Sequence, residues 1–571
     1  MPVRSFPIHV AVSKRSYKGK TYVTTLLRRT YREDGKVKNE TVGNISHLPP
    51  HTIELVRRSL AGESFVPASD WQITRSLPHG NVVAVLGTLR TLGIERMLDR
   101  TPSRMRNLGV AMIASRLLSP SSKLAMTRTL SQTTLGALLD VEGATEDELY
   151  RAMDWMGERQ GKVEKALAKK HLANGSLVLY DLSSSYMEGT HCPLATWGYS
   201  RDKKRGKTQI EYGLLTDVEG RPVAVEVFEG NTSDSTTVSG QIEKLRKKFG
   251  LKEVIVVGDR GMITGKLIDE ELGTRENEGI SWITALRHAQ ISDLEVKGAF
   301  QLSLFDEKEI GEIQSDAYPG ERIILVRNEY LRPRLTVSRE ELLVATEELL
   351  AKVTLRVQKG TLAGKDAIGV AVGKVINARK AGKFFDVVIT DTTLTVTRKA
   401  DEISRANALD GIYALRTSVS RETMGAADVV RTYKKLQYVE QAFRHFKSVD
   451  LQVRPVHHYS DTRVKTHLFL CMLAYYVQWE LERCWAPMTY KDEDPTPSVS
   501  PVTADRQPSP ARRSGDQPVH SFRTLLSELA TLTRNTVTSQ QTSTIPFDIV
   551  ATPTPLQAQA LAALSLSSAL A

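Results

Sequence analysis

Three cysteines in 571 residues, Cys192, Cys471 and Cys484, are too few for a disulfide framework, and no two stand at a Cys-x-x-Cys metal spacing. No window approaches the roughly 18–20 uninterrupted apolar residues that a membrane helix needs. The opening MPVRSFPIHVAVSKRSYKGK lacks an apolar stretch followed by a small-residue cleavage site, so no secretory signal is expected. A phosphate-cradling loop is also missing: Gly258-Asp-Arg-Gly261 lacks the Gly-Lys-Ser/Thr ending, and no nucleotide is expected as a partner. Internal repeats are absent. These absences leave a reduced, cytoplasmic protein with no membrane partner, and at ~150 residues per domain it has room for three to five units. Lys and Arg (77) exceed Asp and Glu (66), a net charge of +11. Such an excess favours polyanions, because binding phosphates releases condensed counterions, but charge alone does not require it.

The texture of the chain changes along its length. Residues 1–62 read as β-branched strands, with a turn at Glu33-Asp34-Gly35-Lys36, and then a short helix. Residues 63–173 turn helical, with Thr145-Glu-Asp-Glu and the Ser119-Pro-Ser-Ser run as helix starts. Their scattered arginines suit a DNA-binding domain, and equally a scaffold with a solvated charged face. Residues 174–287 give the order β-β-β-α-β-α-β, a mixed sheet with crossover helices, which is the chain order of a ribonuclease H-like core. Residues 288–405 read as a β-rich insertion on the strength of AFQLSLFD, ERIILVR, KVTLRVQKG and GKFFDVVITDTTLTVTRK. Residues 406–486 resume the core with one long helix over about 424–448 and a second, strongly apolar one. The Pro/Ser-rich stretch 487–520 reads as a linker and 521–571 as a helical appendage. The expected fold class is therefore α/β: a ribonuclease H-like mixed sheet split by a β-rich insertion, preceded by a β-strand segment and a helical domain.

Two apolar strands end on aspartate, SLVLYDL at Asp181 and EVIVVGD at Asp259. A carboxylate there is costly unless its lost hydration is offset, and two held close together repel unless a hard divalent cation sits between them. Glu440 is the third candidate. On one continuous helix, Tyr433, Glu440, Arg444 and Lys447 fall within a stripe about 60° wide, beside an apolar flank of Val439, Phe443 and Phe446. One carboxylate among two cations and a phenol suits a phosphodiester. Taken singly, each aspartate is as readily a turn residue, and Glu440 with Arg444 as readily an exposed ion pair. The combination points to a metal site.

DLSSSYMEG from Asp181, GDRGMIT from Gly258, and Tyr433-x2-Leu436-x3-Glu440-x6-Lys447 resemble the three signatures of DDE-type bacterial insertion-sequence transposases. The group in question carries a Tyr-x2-Arg-x3-Glu-x6-Lys motif and a β-rich insertion before the last acid. Leu436 stands where that motif has arginine. The resemblance implies DNA cleavage at terminal inverted repeats and attack of the freed 3′-OH on target DNA. It further implies two Mg²⁺ ions (Mn²⁺ substituting) on Asp181, Asp259 and Glu440, and double-stranded DNA gripped near the cut by Tyr433 and Lys447; Arg444 and the basic run Lys203, Lys204, Arg205 are further candidates for DNA contact from their charge. A homodimer in a synaptic complex, at the bacterial nucleoid, is expected. A nuclease that cuts without joining, and a decayed transposase that binds DNA without chemistry, are the rival outcomes. Trp197 and Trp282 are expected to pack beside the core.

Overall fold

The structure, a computed structural model, describes residues 7–566 except 34–35, 64, 66–69, 190, 275–276, 306–307, 449, 491–492, 496–501, 503–505, 509–512, 515–516 and 540–545. The Asp34-Gly35 turn and half of the expected 487–520 linker lie outside the described residues. The chain divides into two compact units, Met1–Ser76 with Arg534–Ala551, and Leu77–Thr533 with Thr552–Ala571.

In the smaller unit, β1 (Ile8–Tyr17), β2 (Lys20–Glu33) and β3 (Lys36–Asn44) form an antiparallel sheet in that order. The helix α1 (Pro50–Leu60) lies against β1, with the Thr25 and Ile45 side chains buried nearby. β4 (Trp71–Pro78) joins a second three-stranded sheet with Thr533–Ser539 and Phe547–Val550. The end of the chain is therefore not wholly helical, as its composition suggests, because residues 533–550 complete this sheet.

The larger unit starts with seven helices: α2 (Gly80–Leu92), α3 (Ile94–Leu98), α4 (Arg104–Leu118), α5 (Lys123–Thr129), α6 (Leu135–Leu138), α7 (Glu146–Gly157) and α8 (Gln160–His171). Two starts lie where expected. Ser122 caps α5, and Thr145 closes a capping box with Glu148 on α7, satisfying amides that have no partner within the helix. The helices from α2 on fall in the same compact unit as the sheet, where α2 buries ten of its 13 residues and α4 ten of its 15. A helix that is apolar all round belongs to a core rather than to a DNA-facing surface.

The main sheet follows: β5 (Ser176–Tyr186), β6 (Gln209–Asp217), β7 (Pro222–Glu229), α9 (Asp234–Glu243), β8 (Val254–Val257), α10 (Gly265–Leu267) and β9 (Ile280–Ala285). The order of elements is that read from the sequence. Residues 288–417 contribute α11 (His288–Val296), β10 (Ile310–Ile313), β11 (Arg322–Arg327), α12 (Leu331–Gln358), α13 (Lys365–Arg379), β12 (Phe385–Ile389), β13 (Leu394–Arg398), α14 (Ala400–Ala408) and β14 (Ile412–Thr417). Here the β-rich expectation fails twice. The segment is dominated by helices, and β10 and β11 are not an inserted sheet but extend the main one, whose order is β10-β11-β14-β9-β8-β5-β6-β7. KVTLRVQKG, read as a strand from its β-branched residues, lies in the 28-residue α12 and the turn after it. Leu343, Thr346, Leu350, Val353 and Val357 supply the reason: their 3-4-3-4 spacing buries one helical face, and packing overrides local β propensity.

The chain closes with α15 (Ala426–Lys434), α16 (Gln437–Lys447), α17 (Asp461–Trp485), α18 (Phe522–Ala530) and α19 (Pro555–Ala563). The 25-residue α17 is the axis of the larger unit, packed by α2, α4, α7, α16 and β7. Among the described residues no helix is long and apolar enough to cross a membrane.

Candidate active site

Register places the first two acids side by side. β5 and β8 run parallel, with Leu179 opposite Val257. Two residues further along come Asp181, still within β5, and Asp259, in the loop that follows β8. Asp181 does not end its strand, however. β5 continues to Tyr186, paired with β6, so Asp181 sits mid-strand where its neighbour β8 has already stopped. That step in the sheet opens room in front of Asp181. Asp259, exposed, leads the turn in which its carbonyl accepts from the Met262 and Ile263 amides.

Glu440 reaches this edge from α16. Val439, Ala442, Phe443 and Phe446 are buried against β5 and β6, where the Tyr212 ring lies 5.6 Å from Phe443 and 6.4 Å from Phe446. Glu440 and Arg444 are left exposed on the other face. The expected single helix over 424–448 is broken at Lys435-Leu436 by a tighter turn, in which the Leu436 amide bonds the Tyr433 carbonyl. Tyr433 therefore belongs to α15 and does not share a helical stripe with Glu440. Burial pushes its phenol well above the usual tyrosine range, and the Asp259 carboxylate adds to the effect.

A cavity of about 540 Å³ is lined by Asp181, Glu440, Arg444, Lys447 and Arg454, among others. Burial pushes the Asp181 carboxyl up to about 7; Glu440 and Asp259 add to the rise, while the Leu182 amide, 2.8 Å from Oδ1, and Arg201 oppose it. Among the described residues no three His, Cys, Asp or Glu side chains gather closely enough to hold one ion. The donor set is nonetheless all carboxylate oxygen, the chemistry of hard divalent cations, and Asp181 is the member that both other acids act on.

The basic run divides in two. Lys203, Lys204 and Arg205 are exposed on the loop between β5 and β6, Lys204 over the Tyr186 ring. Arg201 and Asp202 turn inward, and sequence reasoning missed both. Arg201 holds both Asp234 oxygens at 2.9 Å and approaches Glu211, whose carboxyl burial lifts to about 7. The Asp202 side chain is 1% exposed; it accepts from Lys447 Nζ at 3.0 Å and from Arg454. Burial lowers the Lys447 ammonium. Trp282 is buried, as expected, with its indole N–H donated to Glu321, but Trp197 is 67% exposed and packs against no core. Its loop is held to the sheet by the neighbouring Thr196, which pairs with Gln209 at the start of β6, while the indole stays on the outside.

The C-terminal end of α16 is tethered electrostatically. His445 Nδ1 lies 2.9 Å from Asp450, which also accepts from Arg523 of α18 at 3.0 Å. Burial would raise Asp450, but His445 and Arg523 override it and bring its carboxyl to about 2. Burial would lower His445, but Asp450 and Glu482 override that and raise it. The His445 contribution is complete below its ordinary 6.5 and is lost as pH rises through the raised value. The Asp450 contribution is complete above its ordinary 3.8 and is lost as pH falls toward 2. The melting-temperature gap between the wild type and Asp450→Asn is therefore expected to be widest near pH 4–6.5 and to narrow on the alkaline side. A pH series of thermal melts checks this.

Two family models match the chain, the transposase DDE domain over residues 174–477 and the N-terminal domain of IS1634 family transposases over residues 10–67. No curated protein matches it. A solved structure, the cryo-EM structure of a piggyBac transposase synaptic complex with hairpin DNA, is similar at a TM-score of 0.32 and 10% identity, over 70% of this chain and 71% of that one. The DDE match takes in more than half of the 571 residues, from the strand that carries Asp181 to the middle of α17, and by it the chain belongs to the insertion-sequence transposases of the DDE type, enzymes that move DNA with divalent metal ions.

Proposed function

We propose that Asp181, Asp259 and Glu440 are the three catalytic acids, on a ribonuclease H-like sheet. The observation that carries this is the parallel pairing of β5 with β8, which carries Asp181 on one strand and Asp259 in the loop just after the other, with Asp259 and Glu440 both acting on the Asp181 carboxyl. The sheet order supports it: β7-β6-β5-β8-β9 is third-second-first-fourth-fifth in chain order, antiparallel on one side of β5 and parallel on the other. Asp181 and Asp259 would hold one Mg²⁺, Asp181 and Glu440 a second, with Mn²⁺ able to replace either. Bound there, the ions supply charge to the attacking and leaving oxygens of an in-line displacement at phosphorus.

The chain's own residues do the rest. Arg444 and Lys447, on the cavity wall beside Glu440, hold phosphate oxygens on the strand being cut. Tyr433, buried beside Asp259, positions that carboxylate and touches the backbone only at its edge. Lys203, Lys204 and Arg205 lie along the approach to the site. The reaction is cleavage at the terminal inverted repeats followed by joining of the 3′-OH to target DNA, in a homodimeric synaptic complex at the bacterial nucleoid. The chain fits the group with the Tyr-x2-Arg-x3-Glu-x6-Lys motif in all but Leu436. That residue begins α16, half-buried at the break between helices, so it packs where the motif carries a cation.

The test incubates the purified chain with Mg²⁺ or Mn²⁺, a DNA fragment carrying its own gene's flanks, and a plasmid target. Cleavage at a repeat boundary with joined product is expected, and a chelator should abolish both. Cleavage without joining would replace the transposition reading with a nuclease. Binding without cleavage would favour a decayed enzyme, in which Leu436→Arg is the reversion to try.

A further inference from the structure

The N-terminal three-stranded sheet has its charges sorted by face, and the register shows how. In β1 and β2 the partners sum to one constant, with His9 opposite Arg28, Arg15 opposite Tyr22 and Tyr17 opposite Lys20. Beyond the bulge, Arg28 faces Thr41, Thr30 faces Asn39 and Arg32 faces Val37. Directly opposed residues share a face, and successive residues alternate. One face therefore carries the cations Arg15, Lys20, Arg28 and Arg32, with Tyr17, Tyr22, Thr30, Asn39 and Thr41 among them, and no carboxylate. Both acids of the strands, Glu33 and Glu40, fall on the other face, where each is neutralised by Lys38 or Arg29. That other face also holds Ile8, Val10, Val12, Val23 and Leu27, the apolar side of the sheet.

Among the described residues, none of the four cations on the acid-free face pairs with a carboxylate. Arg15, Lys20 and Arg32 are exposed, and Arg28 Nε has no hydrogen-bond partner. Unpaired guanidinium and ammonium groups interleaved with hydroxyls, amides and two exposed tyrosines complement a phosphodiester backbone and not an apolar or basic partner. Strands and sheets are among the elements that proteins lay on DNA.

We propose that this face of the β1-β2-β3 sheet docks on duplex DNA, with Arg15, Lys20, Arg28 and Arg32 on phosphates. The proposal rests on the transposase reading above. It assigns DNA contact to the small unit, in place of the helical segment 63–173, whose central helices are buried.

The experiment measures binding of the full chain to a fluorescent duplex of its own gene's flank, and to an unrelated duplex of equal length, between 50 and 300 mM salt. Two charge-matched pairs are compared, Arg15→Gln with Arg32→Gln, and Lys14→Gln with Lys36→Gln on the opposite face. The first pair is expected to weaken binding to both duplexes roughly 10- to 30-fold at 0.15 M salt and to flatten the log K against log salt slope by about 2. The second pair should leave the slope within experimental error. Arg15→Lys with Arg32→Lys should restore most of the lost affinity. Equal effects from both pairs, no effect from the first, or no rescue by lysine would overturn the proposal. Failure of the catalytic reading has a separate signature: Asp181→Ala would still cut DNA, whatever the sheet variants do.

Discussion

Asp181→Ala should lower the rate of DNA strand cleavage by at least ~10³-fold, about 4 kcal/mol of lost transition-state stabilisation, while leaving DNA affinity within a few-fold. Asp181 is expected to be the most sensitive of the three acids because it is the shared one. Its carboxyl is acted on by both Asp259 and Glu440, and it stands mid-strand where the sheet steps back. Asp259→Ala and Glu440→Ala each remove an exposed carboxylate from one side of it and should cost comparable or smaller factors. Single-turnover cleavage of the flank duplex, at saturating Mg²⁺ and again with Mn²⁺, measures all three. A variant that kept more than about a tenth of the wild-type rate would remove that residue from the set. Stability separates loss of chemistry from loss of fold. Removing a desolvated carboxylate that two others repel should leave the melting temperature unchanged or raised, because the protein gives up a destabilising group.

What could be read in advance divides along physical lines. That Asp181 and Asp259 come from neighbouring strands was legible because the β-β-β-α-β order makes β5 and β8 partners. Glu440 was legible only through its company. The break between α15 and α16 was not. Tyr433-Lys-Lys-Leu-Gln437 contains no proline or glycine and every residue tolerates a helix, so only the packing of Phe443 and Phe446 on Tyr212 on one side, and of Tyr433 beside Asp259 on the other, forces the turn. The insertion was misread because β-branched residues outweighed a heptad-like spacing that was present all along in Leu343, Thr346, Leu350, Val353 and Val357. Arg201 and Asp202 sit within a run of cations that composition treats as one surface. Sequence cannot show that two of its members turn inward, because their partners, Asp234 and Lys447, lie 33 and 245 positions away.

Asp202 carries the second large effect. Asp202→Ala should destabilise the DNA-free protein by ~3–5 kcal/mol, because it leaves Lys447 and Arg454 without their shared buried anion, and leaves the Tyr186 amide without its acceptor. Lys447→Ala should cost clearly less, since Asp202 keeps Arg454. The order of these two losses in denaturant unfolding is the informative quantity. If Lys447→Ala proved the more damaging, Asp202 would not be the group that holds the cations in place. DNA reverses the comparison. Lys447 lines the cavity beside Glu440, and a phosphate arriving there offers its ammonium a second anion. A short duplex should therefore raise the stability of Asp202→Ala by more than that of Lys447→Ala, because stabilisation by a ligand follows its affinity for the folded state and only the first variant keeps this phosphate contact. Lys447 is thus held by a carboxylate in the free enzyme and ready for exchange to phosphate. The cavity can keep Lys447 and Arg454 next to Asp181 and Glu440 because both cations are already paired with Asp202.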